Sequence, residues 1–129
     1  MKKFNEWNEI KKQIDERKKS INFKEREVYW TRIGENIGFE QNGKGEQFSR
    51  PVLVLKKFTK DMFFGVPLST TIRDGSFFHT FSFLEDKQSS ALLLQAKMFD
   101  SKRLNKKIGM INKNDFEKLK FEFKELLCL

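Results

Sequence analysis

An uninterrupted apolar run at residues 51–55, Pro-Val-Leu-Val-Leu, constrains the fold more than any other part of the chain. Successive side chains of a strand point to opposite faces, so such a run needs cover on both faces. We therefore predict a central, buried β-strand here. Residues 28–33 and 62–68 are also rich in strand-forming side chains and predict two more strands. Pro67 indicates that the later strand ends at a sheet edge or leaves the pairing there.

Two further strands are predicted downstream. Turn-forming residues at 73–76 precede the alternating segment 77–83, in which Phe77, His79, Phe81 and Phe83 would share one face. Residues 91–99 form the other predicted strand, which Gln95 interrupts as its one polar break. Residues 34–49 are polar, contain four glycines and indicate a long loop.

Helices are predicted at both ends of the chain. Residues 2 to about 20 are mostly charged but carry one apolar stripe, made by Phe4, Trp7, Ile10 and Ile14. An isolated helix of this length is marginal, so we expect the stripe to pack on its own domain or on a dimer mate, with no direct part in any reaction; the alternative is a surface that binds a partner protein. Residues 114–127 predict the last helix, where Asn114 and Glu117 have capping-box spacing. Residues 101–107 predict a basic helical turn.

Together these elements predict a mainly β fold with flanking helices, of the α+β class, as a small barrel or strongly bent sheet. The chain of 129 residues suits a single domain over 1–129. Within it, residues 1–20 form a helical extension and residues 26–127 form the barrel with its last helix. The net charge of +8 favours a polyanionic partner such as RNA or DNA, although an acidic protein or simple solubility would also account for it.

The cysteine and hydropathy patterns argue against a disulfide-bonded, metal-binding, secreted or membrane-spanning protein. Cys128 is the one cysteine, so no internal disulfide can form, and no Cys/His cluster has metal-ligand spacing. We therefore predict no metal and no cofactor. The first residues lack the apolar run of a signal peptide, and no stretch is long enough to span a membrane. We expect a cytoplasmic protein.

Two stretches are more specific. The first is Gly-Phe-Glu-Gln at 38–41, then a glycine-rich loop, then Arg-Pro-Val-Leu-Val-Leu at 50–55; the second is Val-Pro-Leu-Ser-Thr-Thr at 66–71. In this order they resemble the MazF/PemK toxins, whose pattern is Gly-Ser-Glu-Gln, a loop, Arg-Pro before an apolar strand, and then Pro-x-Ser/Thr-Thr. Residues 93–97 and 100–104 are also similar. The resemblance covers residues 26–127.

The resemblance implies an SH3-like small barrel of the MazF/PemK/CcdB type, usually a homodimer. It further implies the toxin of a type II toxin-antitoxin system, an endoribonuclease that cleaves single-stranded RNA, such as mRNA, without a metal and is bound by a cognate antitoxin. Three departures stand out. Residues 1–25 add a helix, the loop at 41–50 is longer than usual, and Phe39 stands where the family commonly has serine.

RNA cleavage of this kind uses the ribose 2′-hydroxyl as nucleophile. It needs a base, an acid and donors that stabilise charge on the phosphorane. The guanidinium of Arg50 matches two phosphate oxygens, and the resemblance makes Arg50 catalytic. The resemblance also places Ser69 at the family's functional hydroxyl. Glu40 is predicted either to act as the general base or to orient Arg50 through an ion pair.

Other candidate residues are predicted to bind RNA: Thr70, Gln95, Lys44, Lys56 and Lys57. The amide of Gln95 could instead satisfy loop backbone. His79 alternates with phenylalanines and is predicted to be a core or boundary residue. Two alternatives to a nuclease remain open. One is a non-enzymatic relative such as a CcdB-like gyrase-binding toxin, and the other is a single-strand nucleic-acid-binding module.

Overall fold

The computed structural model describes residues 2–18, 21–45, 47–84 and 87–128, which form a curled antiparallel sheet flanked by two helices. Two single-turn 3-10 helices, at Leu93–Gln95 and Ser101–Arg103, connect the later strands. The elements in chain order are α1 Phe4–Asp15, β1 Glu27–Arg32, β2 Ser49–Lys57, β3 Met62–Ser69, β4 Phe78–Leu84, β5 Lys87–Leu92, β6 Lys97–Asp100, β7 Leu104–Met110 and α2 Lys113–Leu127.

The strand order is β4-β5-β3-β2-β1-β7, and β6 pairs with β3 outside this path. Strand β3 therefore has two partners on one side. Its first half, from Met62 to Gly65, pairs with β6, and its end at Leu68 and Ser69 pairs with β5. Pro67, which has no N–H to donate, lies between these two segments and opposite Val52 of β2. The sheet changes partner at this proline, so the strand continues past it to Ser69.

The predicted central strand is confirmed. Alternate residues of β2 enter two separate core clusters, one on each face of the sheet. Leu53 and Leu55 pack on the face that α2 covers, whereas Val52 and Val54 pack on the opposite face. Residues 52–54 have no exposed surface. An apolar run without alternation is stable here because both faces of the strand are covered.

Helix α2 closes the first of these clusters. Its Phe116 and Leu119 are buried in that core, and Phe123 stacks on Phe64 with ring centroids 5.9 Å apart. The predicted capping residue, Asn114, was wrong. The N-cap is Asn112, whose side chain accepts a hydrogen bond from the Asp115 N–H at 2.9 Å. An asparagine two positions earlier satisfies the same orphan backbone donor, so the helix begins sooner.

Two predicted elements are corrected by the strand pairing. Residues 91–99 are not one strand, because the 3-10 turn at Leu93–Gln95 separates β5 from β6. Both strands pair with β3, but with different halves of it, so the chain must turn between them. Residues 101–107 are also not one helical turn. Only Ser101–Arg103 is helical, and residues from Leu104 join β7 because β1 offers its free edge.

Helix α1 packs against its own chain, as predicted, although it ends at Asp15 and not near residue 20. Trp7 and Ile14 are buried and Ile10 is partly buried against them. Phe4 was predicted to belong to the same stripe, but 49% of it is exposed, because it lies in the first turn beyond this contact. Within the described residues, no helix is long and apolar enough to cross a membrane.

Candidate active site

A row of polar side chains crosses five neighbouring strands of the sheet. The pairing of β1 with β2, β3 with β5 and β5 with β4 fixes most of this row. Continuing the β2–β3 register two residues beyond the pair Val52 and Pro67 places Arg50 opposite Ser69. Directly opposed residues of antiparallel strands share a face. The row consists of Thr31, Arg50, Ser69, Ser90 and Thr80, and only Arg50 is charged.

Arg50 and Ser69 line a cavity of about 320 Å³ where β2 begins and β3 ends. Trp30 of β1, with 43% of its surface exposed, forms part of the wall. The other lining residues are Lys44, Gly45, Ser49, Pro51, Leu68, Thr70 and Ser89. The structure thus brings together four of the predicted site residues, Arg50, Ser69, Thr70 and Lys44.

The guanidinium of Arg50 is held by the preceding loop. Its Nε donates to the backbone oxygen of Asn42 at 2.5 Å. When the Gln41 amide is oriented with its oxygen towards the guanidinium, that oxygen accepts from Nη2 at 2.6 Å and from Nε at 2.7 Å. This orientation is the sensible one, because arginine can only donate. Gln41 was not predicted as a site residue; its place in the Gly-Phe-Glu-Gln segment was the only signal.

A second arginine lies close enough to affect Arg50. Burial lowers the pKa of Arg50, and repulsion from the nearby Arg73 lowers it further. The backbone N–H of Arg73 donates to Ser90 Oγ at 3.2 Å, and its guanidinium lies 5.7 Å from the centre of the Phe78 ring. An anion bound near both arginines would relieve their repulsion. The sequence suggested only a turn at Arg73, and nothing local indicates that Arg73 lies near Arg50.

Two hydroxyl groups follow each other at the end of β3. Ser69 is mostly buried, and its Oγ accepts a hydrogen bond from the Thr71 N–H at 3.2 Å. Because a hydroxyl both accepts and donates, the Ser69 hydrogen stays free to reach a ligand in the cavity. Thr70 is exposed at the cavity wall and offers a second donor.

Glu40 lines a separate cavity of about 190 Å³, together with Gln41, Gln95 and Lys97. Its Oε1 accepts a hydrogen bond from the Ile37 N–H at 3.0 Å. Of the two roles predicted for Glu40, the ion pair with Arg50 does not occur among the described residues. The reason is a tight turn over residues 37–40, which directs the carboxylate back to the loop. Gln41, the next residue, meets Arg50 instead.

Gln95 ties this loop to the 3-10 turn after β5. Its Oε1 accepts from the Gln41 N–H at 2.9 Å, and its Nε2 donates to the Phe39 oxygen at 3.0 Å. Of its two predicted roles, the structure shows the backbone one; a contact with RNA stays a prediction. Beside it, burial lowers the pKa of Lys97, with a further decrease from Arg103 and an opposing attraction from Glu40. Sequence reasoning missed Lys97.

Lys56 and Lys57 are not brought to this cavity. They lie six and seven positions along β2 from Arg50, or roughly 20 Å away at the ordinary rise of a strand. Lys57 Nζ donates to the Phe23 oxygen at 2.9 Å and sits 4.5 Å from the centre of the Phe23 ring. Lys56 Nζ lies 3.9 Å from a carboxylate oxygen of Glu25. Any RNA contact they make is with a distant part of the strand.

His79 is a boundary residue, as predicted. It is 8% exposed on β4, and its Nδ1 lies 2.7 Å from a carboxylate oxygen of Glu122 on α2. It therefore links the sheet to the helix and does not line the cavity around Arg50. No group of three His, Cys, Asp or Glu residues within the described ranges could hold a metal ion.

Comparison with known proteins points to one family. A model of the PemK-like, MazF-like toxins of type II toxin-antitoxin systems matches residues 24–127. No curated protein matches the sequence significantly.

Solved structures share the fold at low sequence identity. MazF from Deinococcus radiodurans superposes with a TM-score of 0.69 at 15% identity, over 84% of this chain and 99% of that chain. An endoribonuclease from Mycobacterial species gives 0.65 at 13% identity, over 85% and 95%. An endoribonuclease in complex with its cognate antitoxin, also from Mycobacterial species, gives 0.60 at 14% identity, over 81% and 94%. At these identities the likeness concerns the fold alone.

Proposed function

The chain belongs to the family of PemK-like, MazF-like toxins of type II toxin-antitoxin systems, and from this premise we propose that it is a metal-independent endoribonuclease that cleaves single-stranded RNA, such as mRNA, in the cytoplasm. The observation that carries the proposal is the placement of Arg50. A loop holds its guanidinium at the rim of a cavity, opposite a hydroxyl on the next strand. Such a preorganised donor set suits the charge that develops during phosphoryl transfer.

In the proposed reaction the ribose 2′-oxygen attacks the adjacent phosphorus. The bond from the 2′-oxygen to phosphorus forms as the bond to the 5′-oxygen breaks, which leaves a cyclic phosphate and a 5′-hydroxyl. Arg50 donates to the non-bridging oxygens, where charge accumulates, and Ser69 and Thr70 add hydroxyl donors. Glu40 is the proposed acceptor of the 2′ proton, for which its carboxylate must turn from the Ile37 N–H towards the RNA. The departing 5′-oxygen takes up a proton from water.

Flanking phosphates extend this contact. Lys44 lines the same cavity as Arg50 and is exposed, so its ammonium can neutralise a phosphate next to the scissile one. Trp30, exposed in the same wall, offers an apolar face against which a base can stack. The bases select the RNA through such pockets, because single-stranded RNA exposes its base faces and edges.

We infer two protein partners for the toxin. One is a cognate antitoxin, since a similarly folded endoribonuclease from Mycobacterial species was solved in complex with its own. The net charge of +8, and Arg50 and Lys44 in the cavity, suit an acidic or mixed-charge antitoxin segment. The other is a second copy of the chain, in line with the homodimer that the family resemblance implies.

The direct test is cleavage of end-labelled single-stranded RNA in EDTA. We expect products with a cyclic or 3′ phosphate and a 5′-hydroxyl. Arg50→Ala should lower the rate by about 10²–10³, because one preorganised donor is lost. Its melting temperature should stay the same, because the position is only half-buried. Lys56→Ala removes a cation from the far end of the same strand and serves as the matched control.

Four results would contradict the proposal. Cleavage that needs magnesium would contradict a metal-independent reaction, and products that carry 5′-phosphates would exclude attack by the 2′-hydroxyl. An Arg50→Ala enzyme within a few-fold of the wild type would remove Arg50 from catalysis. RNA that binds but is never cut would indicate a nucleic-acid-binding module instead.

A further inference from the structure

Helix α1 lies outside the matched family region, which begins at residue 24, and none of its residues lines the cavity around Arg50. It nevertheless packs against the base of the loop that holds Arg50. We refer to residues 34–45 and 47–48 as the site loop. Helix α1 contacts this loop more closely than it would need to if it only covered its own apolar stripe.

Trp7 makes the closest of these contacts. Its ring packs on Phe48, with centroids 5.6 Å apart, just where the chain returns from the loop to β2. At the other end of the loop it lies so close to Gly34 that a Cβ there would come within 2.1 Å of the indole. Gly34 also has a φ of +88°, which favours glycine. A single side chain therefore fixes both ends of the site loop.

Hydrogen bonds carry this constraint from the loop ends to its middle. The Phe48 oxygen accepts from the N–H groups of Ile33 and Gly34 at 2.9 and 3.0 Å, and the Gly34 oxygen accepts from the Gly43 N–H at 2.7 Å. These bonds close the loop over Trp7.

Asn36 then braces the two residues that accept hydrogen bonds from Arg50. Its backbone N–H donates to Asn42 Oδ1 at 2.5 Å, and its Nδ2 donates to the Gln41 oxygen at 2.7 Å. Lys2, which precedes α1, donates from Nζ to the Asn36 oxygen. The loop residues that α1 braces, Gln41 and Asn42, are the ones that accept from Arg50.

We propose that α1 is a positioning element for Arg50 and that Trp7 is the residue through which it acts; the proposal rests on the nuclease function proposed above. Trp7 is thus a positioning residue and touches no substrate. By fixing both ends of the site loop, it holds the Asn42 carbonyl and the Gln41 amide where they restrict the guanidinium to one orientation. Removing Trp7 releases the loop and, with it, Arg50.

The test compares two buried residues of the same helix. Ile14 lies seven positions after Trp7, about 10 Å along the axis; it belongs to the same buried cluster as Trp7 and Phe48 but lines a different cavity, with Lys102 and Arg103. Trp7→Ala should lower kcat roughly ten- to hundredfold with little change in KM, because a small displacement of a catalytic group is costly. Ile14→Ala should keep kcat within about twofold although it also weakens docking, and Trp7→Phe should restore most of the activity.

A second measurement does not depend on activity. In the wild type, the Arg50 Nε–H is shared between two acceptors and should exchange slowly with solvent in NMR spectra. Trp7→Ala should speed its exchange, together with that of the amides at residues 36–43, whereas Ile14→Ala should leave both unchanged. If Trp7→Ala does not fold, Trp7→Leu is used in its place in both assays, because leucine keeps an apolar contact with Phe48.

The outcomes separate the two proposals. If the wild-type protein never cleaves RNA, the proposed function is wrong. The exchange rate of the Arg50 Nε–H still shows whether Trp7 positions Arg50. Equal losses of kcat in Trp7→Ala and Ile14→Ala, with unchanged exchange at Arg50, would show that α1 only stabilises the fold and would overturn the positioning role.

Discussion

Replacing Gln41 with leucine tests whether Arg50 must be held in place before RNA arrives. Leucine is of similar size, but it has no acceptor for the guanidinium of Arg50. In the wild type the Gln41 amide oxygen accepts from Nη2 and Nε of Arg50, at 2.6 and 2.7 Å. The backbone oxygen of Asn42 remains as a partner for Nε after the substitution. Arg50 would keep one hydrogen-bond acceptor and lose the other.

The size of the effect follows from the freedom that Arg50 regains. Fixing a long charged side chain costs about 1.5–2 kcal/mol of rotamer entropy. Because Asn42 still restrains the Nε end, we expect about two thirds of this entropy cost, roughly 1–1.3 kcal/mol, to be added to the barrier. That corresponds to a fall of about five- to tenfold in kcat/KM, since 1.36 kcal/mol is a factor of ten. The loss should be at least tenfold smaller than that of Arg50→Ala.

A double-mutant cycle gives the sharpest form of this assay. The cleavage rates of wild type, Gln41→Leu, Arg50→Ala and the double variant are measured on one labelled RNA under single-turnover conditions. If Gln41 acts only through Arg50, its substitution should change nothing once Arg50 is absent. An additive fivefold loss in the Arg50→Ala background would refute the reasoning and would indicate that Gln41 contacts RNA itself. A single variant within twofold of the wild type would also refute it.

Two further predictions concern other parts of the molecule. Burial, together with the charge of Glu27, raises the pKa of Tyr29 to about 12. Tyr29 is the only tyrosine in the sequence, so a near-ultraviolet titration reports on it alone. The titration midpoint should lie near 12 in the folded protein and at about 10 in denaturant. The neutral phenol is favoured in the fold, so the free energy of unfolding should fall as pH rises from about 10 to 12, and a folded midpoint near 10 would contradict this. At the far end of β2, the paired substitution Lys56→Gln and Lys57→Gln should leave cleavage within about twofold, whereas Lys44→Gln should weaken RNA binding and reduce its salt dependence. Equal losses in both would show that RNA follows the whole strand.

Several elements were predictable because their signals are local. The burial of β2 on both faces follows from an apolar run without alternation, and the alternation around His79 placed this residue at a boundary. The stripe through Trp7 and Ile14 indicated a docked helix. In each case the spacing of the apolar side chains along one segment shows which faces of the strand or helix must be buried.

Errors arose where a partner distant in sequence decides the outcome. Residues 91–99 are apolar enough for one strand, yet β3 offers two separate pairing segments, and the chain turns at Leu93–Gln95 to reach both. Residues 104–107 had the composition of a helical turn but extend along the open edge of β1. Glu40 is the residue that charge favours as a partner of Arg50, but the turn over residues 37–40 presents Gln41 instead.

The sequence by itself determined the class of fold, the central strand and the identity of the cationic residue at its start. These follow from chemistry within a short segment. Only the tertiary structure decided which side chains meet: it placed Ser69 opposite Arg50, brought Arg73 beside them and set Trp7 under the site loop. The physical reason is that register and loop closure depend on the pairing of segments far apart in the chain. Shifting that pairing by one residue would turn every side chain of a strand to the other face, and no local pattern records it.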